Sequence, residues 1–316
     1  MIDVDKVNIF TSTGIKLINH PEAIRLFKEE KRATPISLQI SLTSKCNLNC
    51  DFCSNINRKK DIELDYEETL ELISNLKKIG LKTVEVSGGG DATLYRRINS
   101  FIEDVYSMGL KIGMITNGVL LKDRVKQENL DKLTWLRISI NCLEYVDEID
   151  IPNIKGTLGF SYVWNERTNI DIINKIRDYA KRYKVSYIRV VPNCLSTIEE
   201  QKKKNRFLSK LVSFWGEPFF YQVKDFNKPK ECYWCYFKPF LNENGWIYPC
   251  SSVVLNSSSD RTFHEKYRFF HMKDFHKVYE KEVKPFNTKN CDHCVFYNQN
   301  KILYDLINPN GMEDFI

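Results

Sequence analysis

No apolar run in this chain is long enough to cross a bilayer. The opening MIDVDKVNIF also lacks the basic-then-apolar order of a secretory leader. Neither a membrane span nor export is therefore expected. Charge of one sign is scarce as an excess: 47 Lys and Arg against 41 Asp and Glu leave +6 over 316 residues. That balance favours an anionic partner weakly and makes nucleic acid an unneeded partner. Apolar residues are not in short supply, at 42 % hydrophobic and 13 % aromatic, so disorder is not the default. Ten cysteines are present. Without a leader they read as metal ligands in a reducing cytoplasm rather than as disulfides. The length suits one large α/β domain plus a small appended one.

Three of these cysteines stand in CNLNCDFC, as Cys46, Cys50 and Cys53, just after the apolar run at 36–42. Three thiolates spaced this way can cap three irons of a [4Fe-4S] cube. The fourth iron keeps an open site, where a substrate or cosubstrate can bind. Structural zinc is the competing reading. It wants four ligands, often two CxxC pairs, and fits a CxxxC spacing poorly.

Strand and helix patterns then alternate. Residues 37–43 read as a strand feeding the cysteine loop. Asp65 and Glu68 form a capping box. Leu72, Ile73, Leu76 and Ile79 make a helical stripe that Gly80 stops. Residues 83–87, 111–116, 135–140, 157–163 and 187–191 read as five more strands, with a helix face at 172–183 between the last two. The alternation implies a parallel sheet with helices outside. Lys202, Lys203 and Lys204 read as a solvated helix face.

The cysteine triplet, with Phe52 before its third member and Asn47 and Asn49 padding the loop, resembles the signature of the radical S-adenosylmethionine (radical SAM) superfamily. The resemblance implies an α/β fold, a partial (β/α)6 TIM-type barrel over 36–225, preceded by an extension at 1–35. That extension contains one short helix and is too short for a separate peptide-recognition domain. The resemblance also implies function. One electron from the cluster would cleave SAM, and the resulting 5′-deoxyadenosyl radical would take a hydrogen from the substrate. A flavodoxin- or ferredoxin-type donor would supply the electron. Chemistry in parallel barrels sits at the C-terminal strand ends. There Gly88, Gly89, Gly90 and Asp91 resemble the glycine-rich strand end that holds the methionine ammonium, although relatives usually carry Glu at Asp91. Thr116 and Asn117 face the same mouth. Ser139 and Asn141 match ribose-contacting positions, and Val190 and Val191 are candidates for the adenine.

Past Phe226 the pattern changes. Cys232-Tyr-Trp-Cys235, an Asn244-Gly245 hairpin signal, Cys250, and Cys291-Asp-His-Cys294 follow. Taken alone, two CxxC pairs read as a zinc ribbon. Beside the barrel, residues 226–316 resemble the SPASM/twitch domains that bind auxiliary clusters. Five cysteines cannot fill two cubes, so one auxiliary [4Fe-4S] cluster is implied. Its ligands would be Cys250, Cys291, Cys294 and one of Cys232 or Cys235; His293 between the last pair would point away. Cys142 and Cys194 lie past strand ends and are candidate hydrogen donors, or small buried packing residues. The expected substrate is a polar small molecule such as a sugar, aminocyclitol or nucleotide, to be oxidised or rearranged. A peptide substrate is the alternative, and a zinc-stabilised binding protein the distant one.

Overall fold

A computed structural model describes residues 4–254 and 265–312. The ends of the expected 1–35 and 226–316 segments, and 255–264, lie outside the described residues. Ten strands form one sheet: β1 Ser37–Ile40, β2 Thr83–Val86, β3 Lys111–Thr116, β4 Trp135–Ser139, β5 Thr157–Trp164, β6 Tyr187–Pro192, β7 Phe219–Tyr221, β8 Phe240–Leu241, β9 Trp246–Tyr248 and β10 Phe270–His271. Their order is β10-β9-β8-β1-β2-β3-β4-β5-β6-β7. Strands β1 to β7 run parallel to their neighbours. This is the partial TIM-type barrel.

Three details differ from the sequence reading. Strand β1 ends at Ile40, and residues 41–45 turn into the cysteine loop instead of continuing the ladder. Strand β7 adds a seventh parallel strand from three aromatic residues too few to show a period. Asp65 caps its helix, Tyr66–Ile79, through the Glu68 N–H. The full reciprocal box belongs to Thr197 and Glu200, at the start of helix Ile198–Trp215.

Successive side chains of a strand point to opposite faces. One face of the sheet is apolar and sealed: Leu38, Ile40, Val84, Val86, Ile112, Met114, Leu136, Ile138, Phe160, Ile188 and Val190 are buried. Against it lie Leu72, Ile73 and Leu76 of Tyr66–Ile79, Phe101, Ile102 and Val105 of helix Ile98–Ser107, and Ile172, Ile173 and Ile176 of helix Ile170–Arg182. Each such side chain contributes about 1.5–3 kcal/mol of burial, which makes this layer the main source of stability.

The opposite face, inside the barrel, is polar at mid-height. Gln39, Glu85, Arg137 and Arg189 occupy the centres of β1, β2, β4 and β6 and line a cavity of about 600 Å3. Below them Trp135 and Tyr187 close the floor, with Phe10 stacked on Tyr187 at 4.1 Å. Two glycines make room: a Cβ on Gly113 would lie 2.1 Å from the Trp135 ring, and one on Gly159 2.1 Å from Tyr187.

The C-terminal segment joins this sheet. β8 runs parallel to β1, and β9 and β10 continue antiparallel. The Gly245 turn sits at φ +79°, where a side chain is strained.

Candidate functional site

The cysteine loop sits at the C-terminal end of β1 and is clamped to the glycine-rich end of β2. Gly90 N–H donates to the Thr43 carbonyl at 2.7 Å, and Asp91 N–H to that of Lys45 at 2.7 Å. A Cβ on Gly90 would fall 1.8 Å from the Lys45 carbonyl oxygen. Gly88 and Gly89 take φ of +95° and +66°. Gly89 and Gly90 are thus required by the approach of the cysteine loop itself, and Gly88 by its positive φ.

The three thiols are free and half-buried. Each has a donor. Arg58 Nη1 lies 3.6 Å from Cys53 Sγ, Asn117 Nδ2 lies 3.8 Å from Cys46 Sγ, and the Tyr145 side chain bonds Cys50. Burial, then the neighbouring Cys53 and Cys46, push the Cys50 thiol up to about 12. Three thiolates crowded in one loop repel, so their ionised form calls for cations among them. Iron meets that need, and hydrogen bonds to the sulfurs tune a cluster's potential. Among the described residues no three His, Cys, Asp or Glu side chains converge on a single metal ion. In a cube each thiolate caps a different iron, so convergence on one point is not required. The donor chemistry fits a cluster.

Asp91 is buried, and its carboxylate accepts from Thr93 N–H (3.0 Å), Thr93 Oγ1 (2.6 Å), Thr116 Oγ1 (2.9 Å) and Asn117 N–H (2.6 Å). It ties the ends of β2 and β3 together. Asn117 in turn bonds Asn47 in the cysteine loop at 2.8 Å. A second carboxyl reaches this place, unforeseen from sequence: Glu243, just past β8, is buried and accepts from Ser41 Oγ at 2.7 Å. Its Oε2 lies 2.9 Å from where a Gly89 Cβ would stand. Burial raises the Glu243 carboxyl above the usual range, with the Ser41 bond opposing.

Further round the mouth, the Asn141 side chain is spent on the Val163 backbone (2.7 and 2.9 Å) and Glu144 (2.9 Å). Ser139 has no side-chain hydrogen bond among the described residues. Val191 lines the cavity; Val190 is on the sealed face, as strand alternation requires. Phe52 tilts against Tyr145 at 6.4 Å. Cys194 borders the cavity, whereas Cys142 is 1 % exposed and burial pushes it up to about 12. Ser87, at the end of β2, also lines the cavity.

The five C-terminal cysteines form a second group. Cys235 Sγ lies 3.6 Å from the Cys232 carbonyl, to which it donates; burial and then the neighbouring Cys232 raise the Cys235 thiol, whereas hydrogen bonding from Cys235 lowers that of Cys232. Asn300 holds the group: its Nδ2 lies 3.7 Å from Cys294 Sγ, and its Oδ1 accepts from Tyr233 and Trp234 N–H at 2.9 and 3.0 Å. Cys250 and Cys294 are each raised by burial first and by neighbouring thiols second. Cys291 is likewise raised by burial, then by Cys232. Ser251, Ser252, His293 and Val295, flanking Cys250 and Cys294, line the barrel cavity. His293 therefore faces the cavity, and its buried Nδ1 has no partner.

A family model for the Radical SAM superfamily matches residues 40–149. A GTP 3′,8-cyclase of Clostridium perfringens is 34 % identical over 131 residues, 38 % of this chain and 39 % of the relative. An S-adenosylmethionine-dependent nucleotide dehydratase of Lacinutrix mariniflava is 26 % identical over 192 residues, 57 % of this chain and 39 % of the relative. The chain thus spans about two-fifths of these relatives' length. In structure, Streptococcus suis SuiB bound to its precursor peptide SuiA superposes with TM-score 0.57 and 18 % identity, over 93 % of this chain and 77 % of SuiB. anSMEcpe with bound AdoMet and a peptide gives 0.52 and 14 %, over 86 % and 96 %. No helix among the described residues is long and apolar enough to cross a membrane.

Proposed function

Residues 40–149 are a radical SAM domain, and from that premise we propose that the chain is a radical SAM enzyme acting on a polar small molecule. The observation that carries this is the clamp between the Cys46–Cys50–Cys53 loop and Gly88–Asp91 at the barrel mouth. A cluster bound there would supply the electron that cleaves SAM to methionine and a 5′-deoxyadenosyl radical, which takes a hydrogen from the substrate. The chain's own residues bind and orient. Cys46, Cys50 and Cys53 hold the cluster, and Arg58, Asn117 and Tyr145 bond its sulfurs. Glu243, beside the Gly88–Gly89 backbone, takes the methionine ammonium. Asp91 acts behind them by fixing the strand ends, and Ser139 takes a ribose hydroxyl. The floor of Phe10, Trp135 and Tyr187 keeps bulk water from the barrel's lower end.

Cys250, Cys291, Cys294 and either Cys232 or Cys235 hold one auxiliary [4Fe-4S] cluster beside the cavity, in a SPASM/twitch-like segment over 226–316. An electron acceptor there suits substrate oxidation, with a flavodoxin- or ferredoxin-type protein as donor to the first cluster. The named activities of the cyclase and the dehydratase favour a nucleotide-like small molecule. A peptide substrate is the second reading, favoured by the peptides bound to SuiB and anSMEcpe. Iron and sulfide analysis of anaerobically reconstituted protein tests the cofactor set. About eight irons per chain are expected, against one zinc and no sulfide for a zinc-stabilised protein.

A further inference from the structure

The barrel interior is charged, and its charges do not cancel. Lys16, Glu85, Arg137, Arg189, Lys224 and Lys238 line one cavity of about 600 Å3. Glu85 is the single carboxylate among them, and Lys238 Nζ claims it at 2.7 Å. Arg137 is partnered with neutral groups, giving Nε to the Tyr187 hydroxyl at 2.9 Å and Nη2 to the Phe10 carbonyl at 2.8 Å. Lys16 donates to the Ile9 carbonyl at 2.9 Å.

Two cations are left with less. Arg189 reaches Gln222 (3.1 Å) and Ser161 (2.8 Å), both neutral, and its buried Nε has no partner. Lys224, three residues past β7, has no hydrogen-bond partner among the described residues. Burial holds Lys224 down at about 7 and Arg189 at about 9, and each also feels another cation, Arg189 and Arg137 respectively. Arg189 and Lys224 are half-buried; unpaired charge held partly out of water is costly, and a fold keeps it where a bound counter-charge repays the cost. An arginine with a buried, orphaned N–H is also a directional oxyanion donor.

Charge decides the class. Lys16, Arg137, Arg189 and Lys224 carry up to four positive charges after Glu85 and Lys238 cancel. A single carboxylate would leave most of that uncompensated, whereas a phosphate ester or a diphosphate brings two or more negative charges. Arginine's fork matches phosphate oxygens, and lysine serves phosphate as a point charge. Building on the radical SAM reading above, we propose that this cavity binds the phosphoryl group of a phosphorylated small-molecule substrate, with Arg189 and Lys224 as its main contacts. Arg189 lies at mid-strand in β6 and Lys224 just past the C-terminal end of β7, so the phosphoryl group would bind on the β6–β7 side of the cavity.

The test uses anaerobically reconstituted protein and calorimetric titration with inorganic pyrophosphate, ribose 5-phosphate and glutarate. Both phosphates should bind, and more tightly than glutarate. Lys224→Met and Arg189→Gln should each weaken pyrophosphate by tenfold or more. Lys202→Gln, on the exposed helix face, should not change it. Lys224 makes no hydrogen bond, so its variant keeps the test valid should Arg189→Gln fold poorly. Equal binding by wild type and Lys224→Met, or tighter binding of glutarate than of pyrophosphate, overturns the proposal. SAM binding by the same wild-type preparation separates the two readings. Pyrophosphate bound without SAM keeps the anion site and removes the domain reading, and SAM bound without pyrophosphate removes the anion site alone.

Discussion

Gly90 has no space for even one carbon, because the cysteine-loop backbone lies 1.8 Å from where its Cβ would be. Gly90→Ala must push that loop away, so iron retained at Cys46, Cys50 and Cys53 should fall and total iron should approach half of wild type. Wild-type iron content in Gly90→Ala would refute the clamp. Asp91 gives a stability prediction. Its carboxylate satisfies two backbone N–H groups and two hydroxyls in a buried place. Asp91→Ala should cost about 3 kcal/mol, the upper range for orphaned buried donors, read from urea unfolding; a loss under about 1 kcal/mol would deny that role. The glycine-aspartate string was legible as part of the site. Its packing role was not, since the facing backbone is forty-five residues earlier in the chain. Glu243 was invisible for the same reason, its partner Ser41 being 202 residues away. The Glu243 carboxyl is raised by burial, so the folded state keeps its proton to higher pH than the unfolded chain. Its contribution is whole below the ordinary carboxylate range and is lost as pH rises through the raised value. Glu243→Gln cannot ionise, so its Tm should gain on wild type as pH rises above about 4.3, the ordinary glutamate value. A constant Tm difference above that value would contradict the burial argument.

At the scale of elements, the C-terminal segment completes the barrel sheet. Ile36, Gln39 and Ser41 N–H donate to the carbonyls of Phe237, Pro239 and Leu241 at 3.0, 3.0 and 2.8 Å. Removing residues 226–316 would leave the β1 edge unpaired and uncover the apolar surface around Phe27, on which Tyr233 and Phe237 pack. Such an edge is an aggregation template. The truncated chain should therefore be insoluble or molten by near-ultraviolet circular dichroism. A soluble, cooperatively unfolding 1–225 fragment would show the barrel to be independent. Six parallel strands were legible because each β-branched run is bounded by turn residues. β8 was not, because two residues carry no period, although the Asn244-Gly245 turn beside it was. Gln39, Glu85, Arg137 and Arg189 alternate with apolar neighbours, a pattern that ordinarily means a solvated face. Here that face encloses a cavity.

For the whole molecule, residues flanking the second cysteine group line the same cavity as the barrel strands. The two C-terminal CxxC pairs were legible because each is local in the chain; the approach of their segment to the cavity wall was not, since it depends on how β8 docks on β1. The auxiliary cluster proposed beside the cavity would favour oxidation over hydrogen return. Turnover in heavy water should then leave no solvent deuterium in the product. Deuterium incorporation lost in Cys194→Ala would instead identify Cys194, the cavity-lining thiol, as a hydrogen donor. All of this depends on SAM cleavage at the first cluster. Chromatographic quantification of 5′-deoxyadenosine after dithionite reduction, for wild type and the Cys46→Ala/Cys50→Ala/Cys53→Ala variant, tests it most directly. Wild type should form 5′-deoxyadenosine, and the variant should form none while keeping about four irons. 5′-Deoxyadenosine from the variant, or none from cluster-loaded wild type, would contradict the account.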